Sequence, residues 1–175
     1  MSFTLAKSIE ILERTPLLLY HLLDGLSEEW THTNEGPDTW SAYDVVGHLI
    51  HGEKTDWIPR MEMILAQRPN SEFEPFDRFA QFNASKGKTL AQLLAEFKTL
   101  RTHNLTLVRS KNLSEKDFAL LGKHPALGPA SLAQLLATWV VHDLNHVSQI
   151  SRIMANQYTK EVGPWYAYLG ILQPK

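Results

Sequence analysis

Two histidines stand four residues apart in the run Trp139-Val140-Val141-His142-Asp143-Leu144-Asn145-His146. Residues four apart on a helix are neighbours, so both imidazoles can reach a single metal ion. A third histidine, His48, lies far upstream in the segment from Ser41 to Glu53, where Val45, Val46, Leu49 and Ile50 place it beside a core-facing stripe. Three neutral imidazoles around one ion leave positions open for a water or a thiol, and the metal lowers the pKa of whatever it binds. The chain has no cysteine, so any metal must be held by His, Asp, Glu or main-chain oxygen, and any thiol must come from a separate low-molecular-weight cofactor. Imidazole suits several divalent ions; zinc ranks first and nickel second among those expected.

Metal-bound imidazoles usually hand their outer ring proton to a carboxylate or carbonyl. Asp44 falls about 40° from His48 around the helix at about 100° per residue and is the candidate for that role, with Asp143 or Asn145 doing the same on the last helix. His51 is close to the same face but is not expected as a primary ligand. His21, His32, His103 and His124 read as surface or satisfied core residues. His142-Asp143-x-x-His146 differs from the His-Glu-x-x-His of zinc peptidases by one methylene, yet Glu161 is the sole carboxylate downstream and sits in no third-ligand motif, so a peptidase is not expected. The chain also lacks Gly-x-Ser-x-Gly, a Gly-rich phosphate loop and a dinucleotide fingerprint.

The elements that must carry these histidines are helical. Ser41-x-x-Asp44, Thr89-x-x-Gln92 and Ser131-x-x-Gln134 have the form of capping boxes, and each opens a segment with apolar residues at three- and four-residue intervals. The last runs through Leu132, Leu135, Leu136, Trp139, Val140, Leu144, Val147 and Ile150. Thr15-Pro16 has the form of an N-cap followed by a first-turn proline, which starts another helix after a lead-in from Leu5 to Leu12. Ser27 to Trp40, Arg68 to Lys88 and Ser110 to Ala130 read as loops. The second is long enough to cross the bundle rather than make a hairpin, with room for a short helix near Phe76 to Phe82. No period-two alternation is long enough for a sheet. The expectation is an all-α four-helix bundle.

At 175 residues and 43% hydrophobic, the chain suits one domain, 1–175. A net charge of -2 and a pI near 6.4, with thinly spread Lys and Arg, argue against nucleic acid or an anionic membrane as partner. The absence of a long apolar run or signal peptide places the chain in the cytoplasm as an expectation.

Thr39-Trp40-Ser41-Ala42-x-Asp44-Val45-Val46-Gly47-His48-Leu49 resembles the opening of the second helix in the DinB and YfiT-like superfamily. The stretch from His124-Pro125 through Ser131-Leu132-x-Gln134 to His142-Asp143-Leu144-x-His146-x-x-Gln149-Ile150 resembles its fourth helix. The likeness extends over about residues 15 to 170. It implies His48, His142 and His146 as metal ligands and an up-down-down-up bundle, with the long crossover between the second and third helices. Family members include enzymes that transfer bacillithiol or mycothiol to electrophiles and a mycothiol-dependent maleylpyruvate isomerase, while many others are known only as metal-dependent hydrolases. The expected activity is therefore that of a metal-dependent transferase or hydrolase acting on a small molecule; the alternative is a non-catalytic metal- or small-ligand-binding bundle. Trp57, Trp139, Trp165, Tyr166 and Tyr168 either line a pocket mouth or pack in the core, Gly163 to Leu169 is placed to close over the bundle end, and an apolar strip offers a homodimer contact.

Overall fold

The computed structural model describes residues 3–68 and 72–173. The ends of the expected 1–175 domain and residues 69–71 of the expected crossover lie outside the described residues. The elements run α1 (Leu5–Leu23), α2 (Glu28–His32), α3 (Ala42–Thr55), α4 (Trp57–Ala66), α5 (Ala80–Ser85), α6 (Leu90–Ser110), α7 (Glu115–Phe118), β1 (Leu121–His124), β2 (Gly128–Ser131) and α8 (Leu132–Asn156). Two short 3₁₀ turns follow, at Gly163–Tyr168 and Gly170–Leu172.

Three of the four long helical segments start where the capping signals place them. Ser41, Thr89 and Ser131 each accept from the amide three residues on, while Asp44, Gln92 and Gln134 reach back to the cap amides. The first helix departs from expectation. It begins at the Thr4 cap and runs unbroken through Pro16, so Thr15-Pro16 is interior and not a start. A proline there removes one helical N–H and frees the carbonyl of Leu12. Arg101 Nη1 takes that carbonyl at 2.8 Å, which lets the helix continue.

The second segment is broken between α3 and α4 at Asp56, whose φ of −109° and ψ of −66° depart from the helix on either side. Pro59, in the first turn of α4, is the cause: its ring bars the carbonyl four residues back. The bundle is up-down-down-up. Lys54 meets Glu96 and Glu62 meets Lys111, so α6 runs in the same direction as α3 and α4. Trp57 stacks on Trp139 and His48 meets His142, so α8 runs against them.

The connecting segments hold more structure than expected. The short helix α5 lies a few residues beyond the expected position. Strands β1 and β2 form an antiparallel hairpin, pairing Leu121 with Ser131 through His124 with Gly128. This corrects the expectation of no sheet: four-residue strands are too short to show alternation above the noise of a loop. Phe73, returning along the crossover, donates its amide to Lys123 O at 2.9 Å and ties the crossover to the hairpin.

The apolar core falls into two halves. One gathers Leu12, Trp57, Met61, Leu105, Leu136 and Trp139, the other Leu19, Val46, Leu49, Leu94, Phe97 and Ile150. Between them lies a layer of buried polar side chains that includes His48, Glu53, Arg101, Asn104, Asp143 and His146.

Candidate metal centre

The buried face of α8 is Leu132, Leu135, Leu136, Trp139, Asp143, His146, Ile150 and Ile153. It follows a three-four spacing in which Asp143 and His146 occupy core positions, while Leu144, expected in the stripe, is 48% exposed. His142 lies one helical turn before His146, half-buried. From α3, His48 enters the same layer. The Nε2 atoms of His48 and His146 each lie 3.1 Å from that of His142. The structure thus brings together all three histidines singled out in the sequence, with one ring nitrogen of each within 4.8 Å of the others.

Ring nitrogens so close together fit a shared cation. Two imidazole nitrogens each about 2.0–2.1 Å from one zinc ion stand about 3.0–3.4 Å apart at coordination angles near 95–110°, so the observed spacing suits a common ion. Protonation favours it too. Burial pushes His48 down to about 3, helped by the neighbouring His146, and His142 down to about 3 by burial and then by His146 and His48. Burial also lowers His146, opposed by its contact with Gln149. Neutral rings have the lone pairs that metal coordination requires.

The outer nitrogens are treated unequally. His146 Nδ1 lies 2.8 Å from Gln149 Oε1, so it carries the proton and leaves Nε2 bare. Nδ1 of His48 and of His142 have no protein partner among the described residues. None of the candidates chosen from the sequence supplies one. Asp44 is bound up in the α3 capping box, Asn145 is exposed and His51 packs on Phe76.

Asp143 faces away from the rings. It grips Arg101 through two bonds, Nη1 to Oδ2 at 2.6 Å and Nη2 to Oδ1 at 2.9 Å. Glu53 Oε1 accepts from Arg101 Nε at 3.0 Å and Nη2 at 2.8 Å, and from Trp139 Nε1 at 3.1 Å. Asn104 Nδ2 donates to both Glu53 Oε2 and the Glu53 carbonyl. With Leu12 O, all five guanidinium hydrogens have acceptors, and the group lies between the rings of Phe97 and Trp139. This network joins α1, α3, α6 and α8 and fixes the rotation of α3 against α8, on which the meeting of the histidines depends. Sequence reading missed Arg101, Glu53 and Asn104; the available signal was a charged residue at a core register position on each of α3, α6 and α8, namely Glu53, Arg101 and Asp143.

A cavity of about 440 Å³ opens over the three rings. Trp40, Trp57, Phe73, Phe76, Leu127 and Leu135 give it apolar walls; Asp56, Arg60, Arg78, His124, Gln134 and Thr138 supply polar atoms. Asp56 is buried and pushed up to about 6 by burial, with Arg60 Nε 2.6 Å away pulling the other way. His124 accepts from the amides of Ala126 and Leu127 and so holds the hairpin turn. Of the aromatics expected at a pocket mouth, Trp57 lines the cavity, Trp139 is core, and Trp165 and Tyr168 are exposed elsewhere at 69% and 88%.

The profile of the DinB superfamily matches residues 11–150. The chain belongs to the DinB superfamily. No curated relative matches the sequence. Among solved structures, this DinB protein is similar to YfiT from Bacillus subtilis, described as a probable metal-dependent hydrolase with an unusual four-helix bundle topology: TM-score 0.72 at 20% identity, over 89% of this chain and 90% of that one. It is also similar to a DinB-like protein from Bacillus cereus, with TM-score 0.59 at 16% identity over 90% and 95% of the two chains. Both likenesses support the fold. Among the described residues, no helix is long and apolar enough to cross a membrane.

Proposed function

We propose that this DinB protein is a metal-dependent enzyme that acts on a small molecule in the cavity over His48, His142 and His146. One observation carries the reading: one ring nitrogen from each of His48, His142 and His146 lies within 4.8 Å of the others beneath a mostly apolar cavity. The three rings would hold a divalent ion, zinc first and nickel second, and such an ion would supply Lewis acidity toward the group that enters its open positions. The description of YfiT as a probable metal-dependent hydrolase supports hydrolysis as the reaction type; the family resemblance supports thiol transfer, with the thiol supplied by a separate cofactor.

The chain's own residues do the rest. His146 is fixed in one tautomer by Gln149. Trp40, Trp57 and Phe76 exclude water around the bound molecule and favour an apolar or aromatic body. Asp56, with its carboxyl near 6, can give or take a proton close to neutral pH. The whole chain acts as one domain.

The test is metal analysis of protein purified without a nickel column, followed by trials with ester and amide substrates, with and without low-molecular-weight thiols. About one zinc or nickel per chain, lost in His48→Ala and His142→Ala, with metal-dependent turnover, is the expected result. Metal content unchanged in both variants rejects the site; metal loss with no turnover of any substrate favours a binding protein.

A further inference from the structure

Among the described residues, Gln81 is the one buried side chain whose amide nitrogen and oxygen both lack a hydrogen-bond partner. It is 1% exposed, and a primary amide so placed is costly unless something completes its bonds. Gln81 belongs to α5, the short helix in the crossover, which is pressed against α3 immediately beside a candidate ligand. Gly47 permits the approach: a Cβ there would stand 2.5 Å from Ser85 Oγ. Tyr43 secures it, its single hydroxyl proton shared between the carbonyls of Ser85 at 2.7 Å and Lys88 at 2.9 Å. A Cβ on Gly47, the residue before His48, would also stand 3.9 Å from Gln81 Cβ, so the Gln81 side chain leaves α5 against the turn of α3 that carries His48. The unpartnered atom on the His48 ring is Nδ1.

His146 shows the completed version of this arrangement. Its Nδ1 meets the amide oxygen of Gln149 at 2.8 Å while its Nε2 faces the other rings. A neutral imidazole has one ring proton, so once Nε2 is committed to an ion the proton must sit on Nδ1, and an oxygen must accept it. The torsion that turns a glutamine amide is soft, so Gln81 can re-aim Oε1 without moving α5. We propose that Gln81 is a positioning residue for His48, its Oε1 accepting the Nδ1–H, and that α5 is thereby part of the metal centre and not merely a step in the crossover. This rests on the metal reading above.

The experiment compares wild type with Gln81→Met, close in shape but without the amide, and Gln81→Glu, which keeps the acceptor. Zinc affinity is measured by competition with a chromophoric chelator, thermal unfolding on the metal-free proteins, and hydrogen exchange of α5 with and without zinc. Gln81→Met is expected to bind zinc 10- to 100-fold more weakly while its metal-free form melts at or above the wild-type temperature. Gln81→Glu is expected to recover wild-type affinity or better. Zinc should slow exchange in α5 of wild type and not of Gln81→Met. Affinity of Gln81→Met equal to wild type overturns the proposal and leaves the metal reading standing, as does weaker binding that tracks lost metal-free stability and is not rescued by Glu. Wild type that binds no zinc or nickel overturns both.

Discussion

Two clusters of buried polar groups lie next to each other in the middle layer, and they are built in opposite ways. Around Arg101 every guanidinium hydrogen has an acceptor, the cation rests on the rings of Phe97 and Trp139, and four helices contribute. Around the histidines the Nε2 atoms of His48 and His146 each stand 3.1 Å from that of His142, two outer nitrogens lack partners, and one side opens to a cavity. Asp143 stands between His142 and His146 in sequence, and Glu53 is five residues after His48, so the same two helices supply both clusters from adjacent faces. Polar groups buried for architecture are satisfied by the chain itself. Those buried for chemistry are left short, and the deficit is what a ligand fills.

The contrast can be broken from the Arg101 side first. Arg101→Met leaves Glu53 and Asp143 buried without a cation, and the unfolding free energy in urea should fall by about 3–5 kcal/mol. A loss below about 1 kcal/mol would show that the network does not tie the helices. Acid should attack the other cluster. His48 and His142 go from an ordinary value of 6.5 to about 3 on folding, so the folded state prefers the neutral rings. Their contribution is therefore fully present above about pH 6.5 and is lost as pH falls toward 3, by up to about 1.4 kcal/mol per pH unit for each ring. Urea midpoints of metal-free protein should drop between pH 7 and pH 5, and the drop should largely vanish in the His48→Ala, His142→Ala double variant; an unchanged slope in that variant would assign it to other groups.

His142→Ala alone should alter metal-free stability at pH 7 by about 1 kcal/mol or less, because it removes a ring whose Nδ1 was unsatisfied, while bound zinc falls to background. A loss as large as that of Arg101→Met would place the ring in the architecture and erase the distinction. The smallest effect is expected at Pro16→Ala. Removing a proline from a helix interior is worth up to about 3 kcal/mol, yet Leu12 O already has its bond from Arg101, so the gain should stay under about 1 kcal/mol. A full gain would mean that the Arg101 bond to Leu12 O contributes little.

The helices and the three histidines were legible because local rules govern them. Capping boxes act across three residues and the His142, His146 pair across four, so Ser41, Thr89, Ser131 and the pair carry their own context. Arg101 was not legible because its partners are 42 and 48 residues away, and nothing local says which charged residue faces the core. The spacing on α8 held the clue. Counting from Trp139 by four and from His146 back by three lands on Asp143, a carboxylate where an apolar residue belongs, which requires a buried cation somewhere else in the chain. Thr15-Pro16 misled for the same reason: a proline signals a helix start unless a distant side chain takes the carbonyl it frees.

Because α3 and α6 run in the same direction, the chain must travel back along the bundle before α6 can begin. That return brings Phe76 and Arg78 to the cavity, and the hairpin before α8 brings His124, Leu127 and Ala130. Much of the cavity wall is therefore made of connecting segments that take no part in the Arg101 network. Residues 124–130 shape the cavity wall from a segment separate from the helices that aim the histidines, whereas Phe76 packs directly on the His48 ring. The shape of the cavity and the aim of the three histidines are thus set largely by different parts of the chain.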